Sequence, residues 1–256
     1  MRLLQGNCLE LMQTIEDQSV DMILCDLPYG TTACRWDTVI PFGPLWDHYK
    51  RIIKPTGAIV LFGCQPFTSL LIGSNLAMFK YEWIWIKNRS TGHVHSKNKP
   101  MKKHENIVVF SAGAIAHRTQ SNRRMTYYPQ GLQEMPSDTL RIRRDKGDDT
   151  FMGARQSHKP TPYTHTGYPV STLDFAIEMK KDRYHPTQKP VALLEFLIKT
   201  YTLEDEVVLD NCMGSGSTGV ACLNTGREFL GIELDEHYFT VASQRIEKWR
   251  RYVDGA

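Results

Sequence analysis

The chain has 256 residues, 41% of them hydrophobic, and a formal net charge of +3. That is enough to bury a sizeable core as one domain, or as one domain carrying a large insertion. Met1-Arg2-Leu3-Leu4-Gln5-Gly6 has no signal-peptide pattern and no apolar run is long enough to span a bilayer, so the expectation is a cytoplasmic, intracellular protein without a membrane partner. Six cysteines, at positions 8, 25, 34, 64, 212 and 222, include no C-x-x-C pair and read as reduced thiols without a zinc site.

Taken in order, residues 2 to 5 form a short apolar strand candidate, Cys8 to Met12 a helical turn, and Asp17-Gln18-Ser19 a break. Val20-Asp21-Met22-Ile23-Leu24-Cys25 follows as a run of strand formers, stopped abruptly by Asp26-Leu27-Pro28-Tyr29. Phe42, Leu45, Trp46, Tyr49, Ile52 and Ile53 recur at helical spacing up to the break at Pro55-Thr56-Gly57. The pattern then predicts a strand over 58–63, a helix over 66–78, and strands over 81–86 and 106–110. In the first of these last two, Trp83 and Trp85 alternate with Ile84 and Ile86, which favours sheet core over a platform for a base. His93, His95 and His104 could suggest a metal, but they sit in a basic loop without cysteine or clustered acids, and no metal is expected.

From Lys87 to Arg183 the character changes. This stretch holds 18 Lys and Arg against nine Asp and Glu, a balance of +9 that leaves −6 for the rest of the chain. Two parts carry the charge: Lys97 to His104, and Arg118 to Arg144 with Tyr127-Tyr128 interleaved. Such patches attract phosphates through counterion release, although a single charge run can also be a solvated face. Pro129, Pro136, Gly147, Gly153, Pro160, Pro162, Gly167 and Pro169 make the later half rich in loops.

Beyond this region, His185-Pro186-Thr187-Gln188-Lys189-Pro190 leads into a helix with a strongly apolar face, Val191 to Ile198. Val207-Val208-Leu209 is a short strand running through Asp210-Asn211-Cys212-Met213 into Gly214-Ser215-Gly216-Ser217-Thr218-Gly219 and a helix beginning near Val220. Glycines there let backbone approach a ligand closely at a helix start with free N–H groups. The next apolar segment ends at Glu233, placed to take a ribose hydroxyl pair. The turn formally fits G-x-G-x-x-G, which keeps a dinucleotide oxidoreductase open, and it lacks the Gly-Lys-Ser/Thr ending of a Walker loop. The closing segment, Tyr238 to Tyr252, is amphipathic and covers the sheet.

Asp26 to Tyr29, at the carboxyl end of a buried strand, allow a specific chemistry. An exocyclic amine on a nucleobase is a poor nucleophile because its lone pair is delocalised into the ring. An Asp oxygen and a backbone carbonyl that both accept from the amine favour a pyramidal nitrogen and free that pair. Pro28 would stiffen the loop and bias Leu27 to an extended conformation that presents its carbonyl. Tyr29 would offer a flat face to a base taken out of its stack. An ordinary turn with an exposed acid is the competing reading.

These segments together resemble the S-adenosylmethionine-dependent amino-methyltransferases of DNA. Asp26 to Tyr29 resembles their D-P-P-Y motif, Asp210 to Gly216 their D-P-F-x-G-x-G motif, and His185 to Pro190 their H-P-T-x-K-P segment. The order, with the catalytic motif first and the cofactor loop last, is similar to the β class, a circular permutation of the usual methyltransferase chain, which would place the first strand beside the strand ending at Glu233. The resemblance covers about residues 1–112 and 184–250. Leu27 stands where the family usually has its first proline, Asn211-Cys212 where it has Pro-Phe, and Gly6-Asn7-Cys8 resembles a G-D-x segment.

The resemblance implies an α/β fold: a permuted Rossmann-like sheet with helices on both faces and an inserted target-recognition region. The expected parts are a catalytic half, 1–112, an inserted basic region, 113–183, which the basic loop from about 88 could join, and a cofactor-binding half, 184–256. Asp26, Leu27, Pro28 and Tyr29 would be catalytic. Asn7, Cys8, Thr187, Lys189, Asp210, Cys212, Gly214, Ser215, Gly216 and Glu233 would bind S-adenosylmethionine, with Lys189 near the cofactor's carboxylate. Arg35-Trp36-Asp37 would be a lid or a base-contacting loop, or else a surface loop with one packed tryptophan. Arg123, Arg124, Arg141, Arg143, Arg144 and Arg155 could read guanine edges or only hold phosphates.

The expected activity is methyl transfer to adenine N6 of a flipped base in double-stranded DNA. Cytosine-N4 transfer is the alternative, less favoured because the family's cytosine-N4 members mostly carry Ser or Thr at the place of Asp26. A non-catalytic DNA-binding protein with a vestigial pocket is a third reading. The absent P-C-x-x-C pattern argues against a zinc deaminase. A homodimer and a functional pairing with a restriction endonuclease are partners that the family allows.

Overall fold

A computed structural model describes residues 1–31, 37–115, 123–136, 141–142, 162–179, 184–185 and 187–255. Two compact units divide the chain: one of Met1–Tyr128 with Ser171–Ala256, the other Pro129–Val170.

The larger unit is built on eight strands. They are β1 (Arg2–Gln5), β2 (Val20–Cys25), β3 (Ile53–Gly63), β4 (Phe79–Thr91), β5 (Lys102–Phe110), β10 (Thr172–Asp174), β11 (Val207–Asp210) and β12 (Glu228–Glu233). Their spatial order is β1-β12-β11-β2-β3-β5-β4-β10. The first five in that order are mutually parallel. β5 runs antiparallel to both β3 and β4, so β4 points the same way as β2, and β10 lies parallel to β4. The amino-terminal strand lies beside the strand ending at Glu233, as the permuted reading expects, with Gln5 opposite Glu233.

Each central strand is buried on both sides, and its alternate residues feed two cores. On one face Met22 and Leu24 of β2, with Ala58, Val60 and Phe62 of β3, pack against helices α4 (Val191–Tyr201), α5 (Ser217–Thr225) and α6 (Glu236–Asp254). On the other, Ile23 and Cys25 with Ile59 and Leu61 meet α1 (Cys8–Leu11), α2 (Phe42–Ile52) and α3 (Phe67–Ser74). The helix-spaced residues Leu45, Trp46, Tyr49 and Ile52 are all buried. Trp83 and Trp85, expected in the sheet core, are 3% and 2% exposed.

Elements run longer or shorter than the pattern suggests where pairing overrides composition. β3 begins at Ile53, through Pro55 and Gly57, because Val20 of β2 pairs with Ile53. β4 and β5 extend past their apolar cores to Thr91 and Lys102, which pair with each other and carry a hairpin of exposed polar residues. The helix predicted over 66–78 stops at Ser74.

The smaller unit holds two ribbons. β6 (Gln133–Glu134) pairs antiparallel with β9 (His165–Thr166), and β7 (Arg141–Ile142) with β8 (Pro162–Tyr163). It spans Pro129–Val170, inside the basic region expected over 113–183. The flanks belong to the larger unit, where Met125 is core, Tyr128 N–H donates to the Thr200 carbonyl at 2.7 Å, and β10 joins the sheet. No helix among the described residues is long and apolar enough to cross a membrane.

The core holds a polar knot. The Tyr201 hydroxyl accepts from Trp83 Nε1 at 2.7 Å and lies 3.0 Å from the Tyr81 hydroxyl. Replacing Tyr201 by Phe leaves the buried indole N–H unpartnered, which should cost about 1–3 kcal/mol of folding free energy. Urea unfolding of Tyr201→Phe checks this, and an unchanged midpoint would contradict it.

Candidate active site

Four parallel strands, β1, β2, β11 and β12, deliver their carboxyl ends to one edge of the sheet, where open α/β sheets build their sites. A cavity of about 980 Å³ opens there.

β2 ends at Cys25 and hands the chain to Asp26-Leu27-Pro28-Tyr29, all four of which line the cavity. Tyr29 stacks on Phe67 at 4.8 Å between ring centres, so its ring is backed from one side. Its hydroxyl donates to Asp26 Oδ1 at 2.6 Å. Burial, with Asp26 and Glu105 nearby, pushes the Tyr29 phenol well above its ordinary range, which keeps it a donor.

The loop is held from behind by Asp37. One of its oxygens accepts from the N–H groups of Tyr29 and Gly30 at 2.8 and 2.9 Å, the other from Thr31 N–H at 2.9 Å. Of the expected lid segment, Arg35 and Trp36 lie outside the described residues, and Asp37 is this buried clamp.

The second wall is the glycine turn after β11. Asp210 is 4% exposed; its Oδ1 accepts from Cys212 N–H at 3.1 Å and its Oδ2 from the Thr218 hydroxyl at 2.6 Å. It therefore ties the strand end to the first turn of α5. Gly216 takes φ +77° at the helix start, and a Cβ there would lie 2.9 Å from Ile246 Cδ1, so only glycine fits without strain. Gly214 N–H donates to Glu233 Oε2 at 2.8 Å, and Asp235 N–H to Glu233 Oε1 at 2.9 Å. Ser215 donates to Gln188 Oε1 at 3.2 Å, and Arg245 of α6 donates to the Ser215 carbonyl at 3.1 Å. On the β1 side, Asn7 Oδ1 accepts from Leu9 N–H and caps α1, a role Asn fills as well as Asp.

The departures at 211 and 212 have partners of their own. Asn211 Oδ1 accepts from the buried Tyr49 hydroxyl at 2.5 Å. Cys212 is hydrogen-bonded to both Cys8 and Cys25; that bond first, and then burial, holds the Cys8 thiol well up, while burial pushes the Cys25 thiol up to about 12. Two of these thiols, Cys8 and Cys212, line the cavity. Among the described residues, no group of three or more His, Cys, Asp or Glu is placed to hold a metal.

A buried chain of charges crosses the floor. Lys189 Nζ donates to Asp26 Oδ2 and lies 3.4 Å from Glu105 Oε2, while Lys87 Nζ donates to Glu105 Oε1. Burial pulls the Lys189 ammonium down, but Asp26 and Glu105 together outweigh it and hold its pKa above the ordinary value. Burial raises Asp26, and neighbouring Glu105 adds to this against the pull of Lys189. Burial also works to raise Glu105, yet its two lysines win and lower it.

All fourteen residues expected from sequence line this one cavity apart from Gly216, which shapes the turn from behind. Lys189, expected near a cofactor's carboxylate, lines the cavity with its ammonium on Asp26 and Glu105. Pro186 lies outside the described residues, as do Arg143, Arg144 and Arg155. Lys87 and Glu105 were missed, since each is a single charge within a strand, and Asp37 was read only as part of a lid or base-contacting loop.

A family model described as DNA methylase matches residues 20–244. Type II methyltransferase M.HpaI of Haemophilus parainfluenzae is 25% identical over 259 residues, covering 96% of this chain and 74% of that protein. DNA adenine methyltransferase YhdJ of Escherichia coli strain K12 is 26% identical over 267 residues, covering 98% and 84%. Among solved structures, the M1.HpyAVI–SAM complex superposes with a TM-score of 0.60 at 21% identity, covering 96% of this chain and 98% of that one. The cytosine-N4-specific PvuII DNA methyltransferase gives 0.64 at 12% identity, covering 99% and 93%. These two share the fold, the Rossmann-like methyltransferase sheet expected from sequence.

Asp210 offers a test of the second wall. Burial pushes its carboxyl from 3.8 up to about 6, against the opposing bonds from Thr218 and Cys212. The folded protein thus binds this proton more tightly than the unfolded chain does. Ionised Asp210 costs stability above about pH 6, on the order of 3 kcal/mol for such a shift, and the cost fades as the pH falls through the window between the two values. The stability of Asp210→Asn relative to the parent should therefore be greatest near about pH 8 and decline towards about pH 4. Thermal melts across that range check it; a difference independent of pH would contradict the assignment.

Proposed function

Because the chain belongs to the DNA methylase family, an S-adenosylmethionine-dependent family of DNA methyltransferases, we propose that it methylates the exocyclic N6 amine of adenine in double-stranded DNA and that the residues lining the cavity do the work. The observation that carries this reading is Asp26 at the carboxyl end of β2, its carboxylate fixed by Tyr29 and Lys189 inside the cavity.

The donor set fits the cofactor. Gly214, Ser215, Asp210, Cys212 and Glu233 on one side, with Asn7, Cys8 and Thr187, surround space lined by acids, hydroxyls and a glycine turn. At about 980 Å³ it lies at the upper end of the roughly 300–1,000 Å³ of small-molecule sites, which suits a cofactor and a base side by side. Bound S-adenosylmethionine supplies an electrophilic methyl group. The chain supplies the rest: Asp26 and the Leu27 carbonyl accept from the target amine, Pro28 stiffens the loop, and Tyr29, backed by Phe67, supports the ring. Each Asp26 oxygen keeps a lone pair beyond its bond to Tyr29 or Lys189. Catalysis is positioning and fixed electrostatics.

DNA contact is assigned to the basic hairpin between β4 and β5 and to the smaller unit. Arg89, Lys97, Lys99, Lys102 and Lys103 are all exposed. Since β4 points the same way as β2, they rise from the edge of the sheet that carries Asp26, and Thr91 at the base of the hairpin lines the cavity. The smaller unit, within the region read as an insertion, is the proposed target-recognition part. A functional pairing with an endonuclease rests on the type II designation of one relative.

Cytosine-N4 transfer uses the same amine chemistry, and one structural neighbour bears that name. The test is incubation of the protein with mixed-sequence unmethylated duplex DNA and S-adenosylmethionine, followed by mass spectrometry of the nucleosides. N6-methyladenine is the expected product. N4-methylcytosine alone would overturn the choice of base, and cofactor-independent DNA retention without any methylated base would support a vestigial pocket instead.

A further inference from the structure

Glu105 and Lys87 belong to no motif. Glu105 stands on β5, across the sheet from the loop that carries Asp26, and its side chain is 14% exposed. Its Oε2 is fully buried without a hydrogen-bond partner, lying only in ion-pair range of Lys189. Lys87 on β4, 10% exposed at its side chain, holds the other oxygen. Both lysines are also fixed by aromatic rings: Lys189 Nζ lies 5.0 Å from the centre of the Phe62 ring and Lys87 Nζ 4.9 Å from that of Trp85, distances at which a cation is attracted to a ring face. Taking four charges largely out of water is expensive, and a loop needing only rigidity could be held by neutral groups.

We propose that Glu105, held by Lys87, is a positioning residue for methyl transfer: it shares the Lys189 ammonium with Asp26, so that Lys189 orients the Asp26 carboxylate without drawing off its capacity to accept from the target amine. This rests on the function proposed above. With Lys189 committed to Asp26 alone, the carboxylate would be a weaker acceptor. With Glu105 sharing the cation, the chain of two acids and two lysines is neutral, and Asp26 keeps its negative charge available. Glu105 is not the sink for the proton leaving the methylated amine, since its two lysines hold its pKa down while that of Asp26 is raised. The proton therefore stays with Asp26 or leaves towards solvent.

The other groups facing Asp26 are Cys25 from β2, Tyr29 from its own loop and Asp210 from β11, and His185 faces Lys189. Asp210 feels Asp26 and not Glu105 or Lys87, so an acid limb arising from it would not follow changes at 87 and 105.

The test uses Glu105→Gln, Lys87→Gln and the double variant Glu105→Gln/Lys87→Gln. Removing the negative charge should move the Asp26 titration, and with it the acid limb of the kcat profile, to lower pH by about one unit, with kcat reduced and cofactor KM unchanged. Removing the positive charge should move the limb the opposite way, and the double variant should return it towards the parent. Carbon-13 carboxyl NMR titration of Asp26 in the unliganded variants reads the same coupling without activity. It therefore separates failure of this proposal from failure of the methyltransferase reading, in which the parent itself would transfer nothing. Uniform loss of activity with an unmoved Asp26 titration, or shifts of the same sign in both single variants, would overturn the proposal.

Discussion

The ion pair between Asp26 and Lys189 joins two parts of the chain 163 residues apart. Asp26 ends the central strand β2, and Lys189 precedes α4, the helix that covers that strand's other side. A charge pair buried at such a junction is a poor source of stability, because desolvation offsets most of the attraction. It is instead a constraint on geometry. The pair can form only if the end of β2 and the entry to α4 meet, so a correctly folded chain delivers a carboxylate with a fixed orientation.

The glycine turn shows the same economy on the other wall. Asp210, Glu233 and Gln188 spend hydrogen bonds on backbone and hydroxyl groups of residues 212–218, and so hold open a turn that would otherwise collapse onto its own carbonyls. Where the family usually carries Pro-Phe, this chain has Asn211, bonded to Tyr49, and Cys212, in a thiol cluster with Cys8 and Cys25. The position of the turn is thereby tied to α2 and to β2, and the small thiols leave room in the cavity that an aromatic ring would fill.

Much of this was legible in the residues. The motifs carry their own local structure: a strand-forming run stopped by Asp-Leu-Pro-Tyr, a glycine turn between strand and helix, and an acid at the next strand end. Their order even implied that β1 lies beside β12. What could not be read was anything that depends on side chains meeting across the sheet. Glu105 and Lys87 come together because β4 and β5 pair antiparallel, and single charges within strands give no periodic signal. Lys189 was recognised by its motif, but its ion pairs with Asp26 and Glu105 were not, since sequence spacing does not say which way a lysine points. Composition marks a basic, loop-rich stretch over 87–183 but does not show where a compact unit begins or ends: packing of Met125 and pairing of β10 place residues of that stretch in the sheet.

The central claim is that the oriented Asp26 carboxylate performs the transfer while the glycine turn holds the cofactor. Its most direct test is Asp26→Ala in single turnover on unmethylated duplex DNA, with S-adenosylmethionine affinity measured on the same preparation by calorimetry. The account predicts cofactor binding close to the parent and loss of methyl transfer. Transfer at the parental rate by a variant that still binds the cofactor would contradict it.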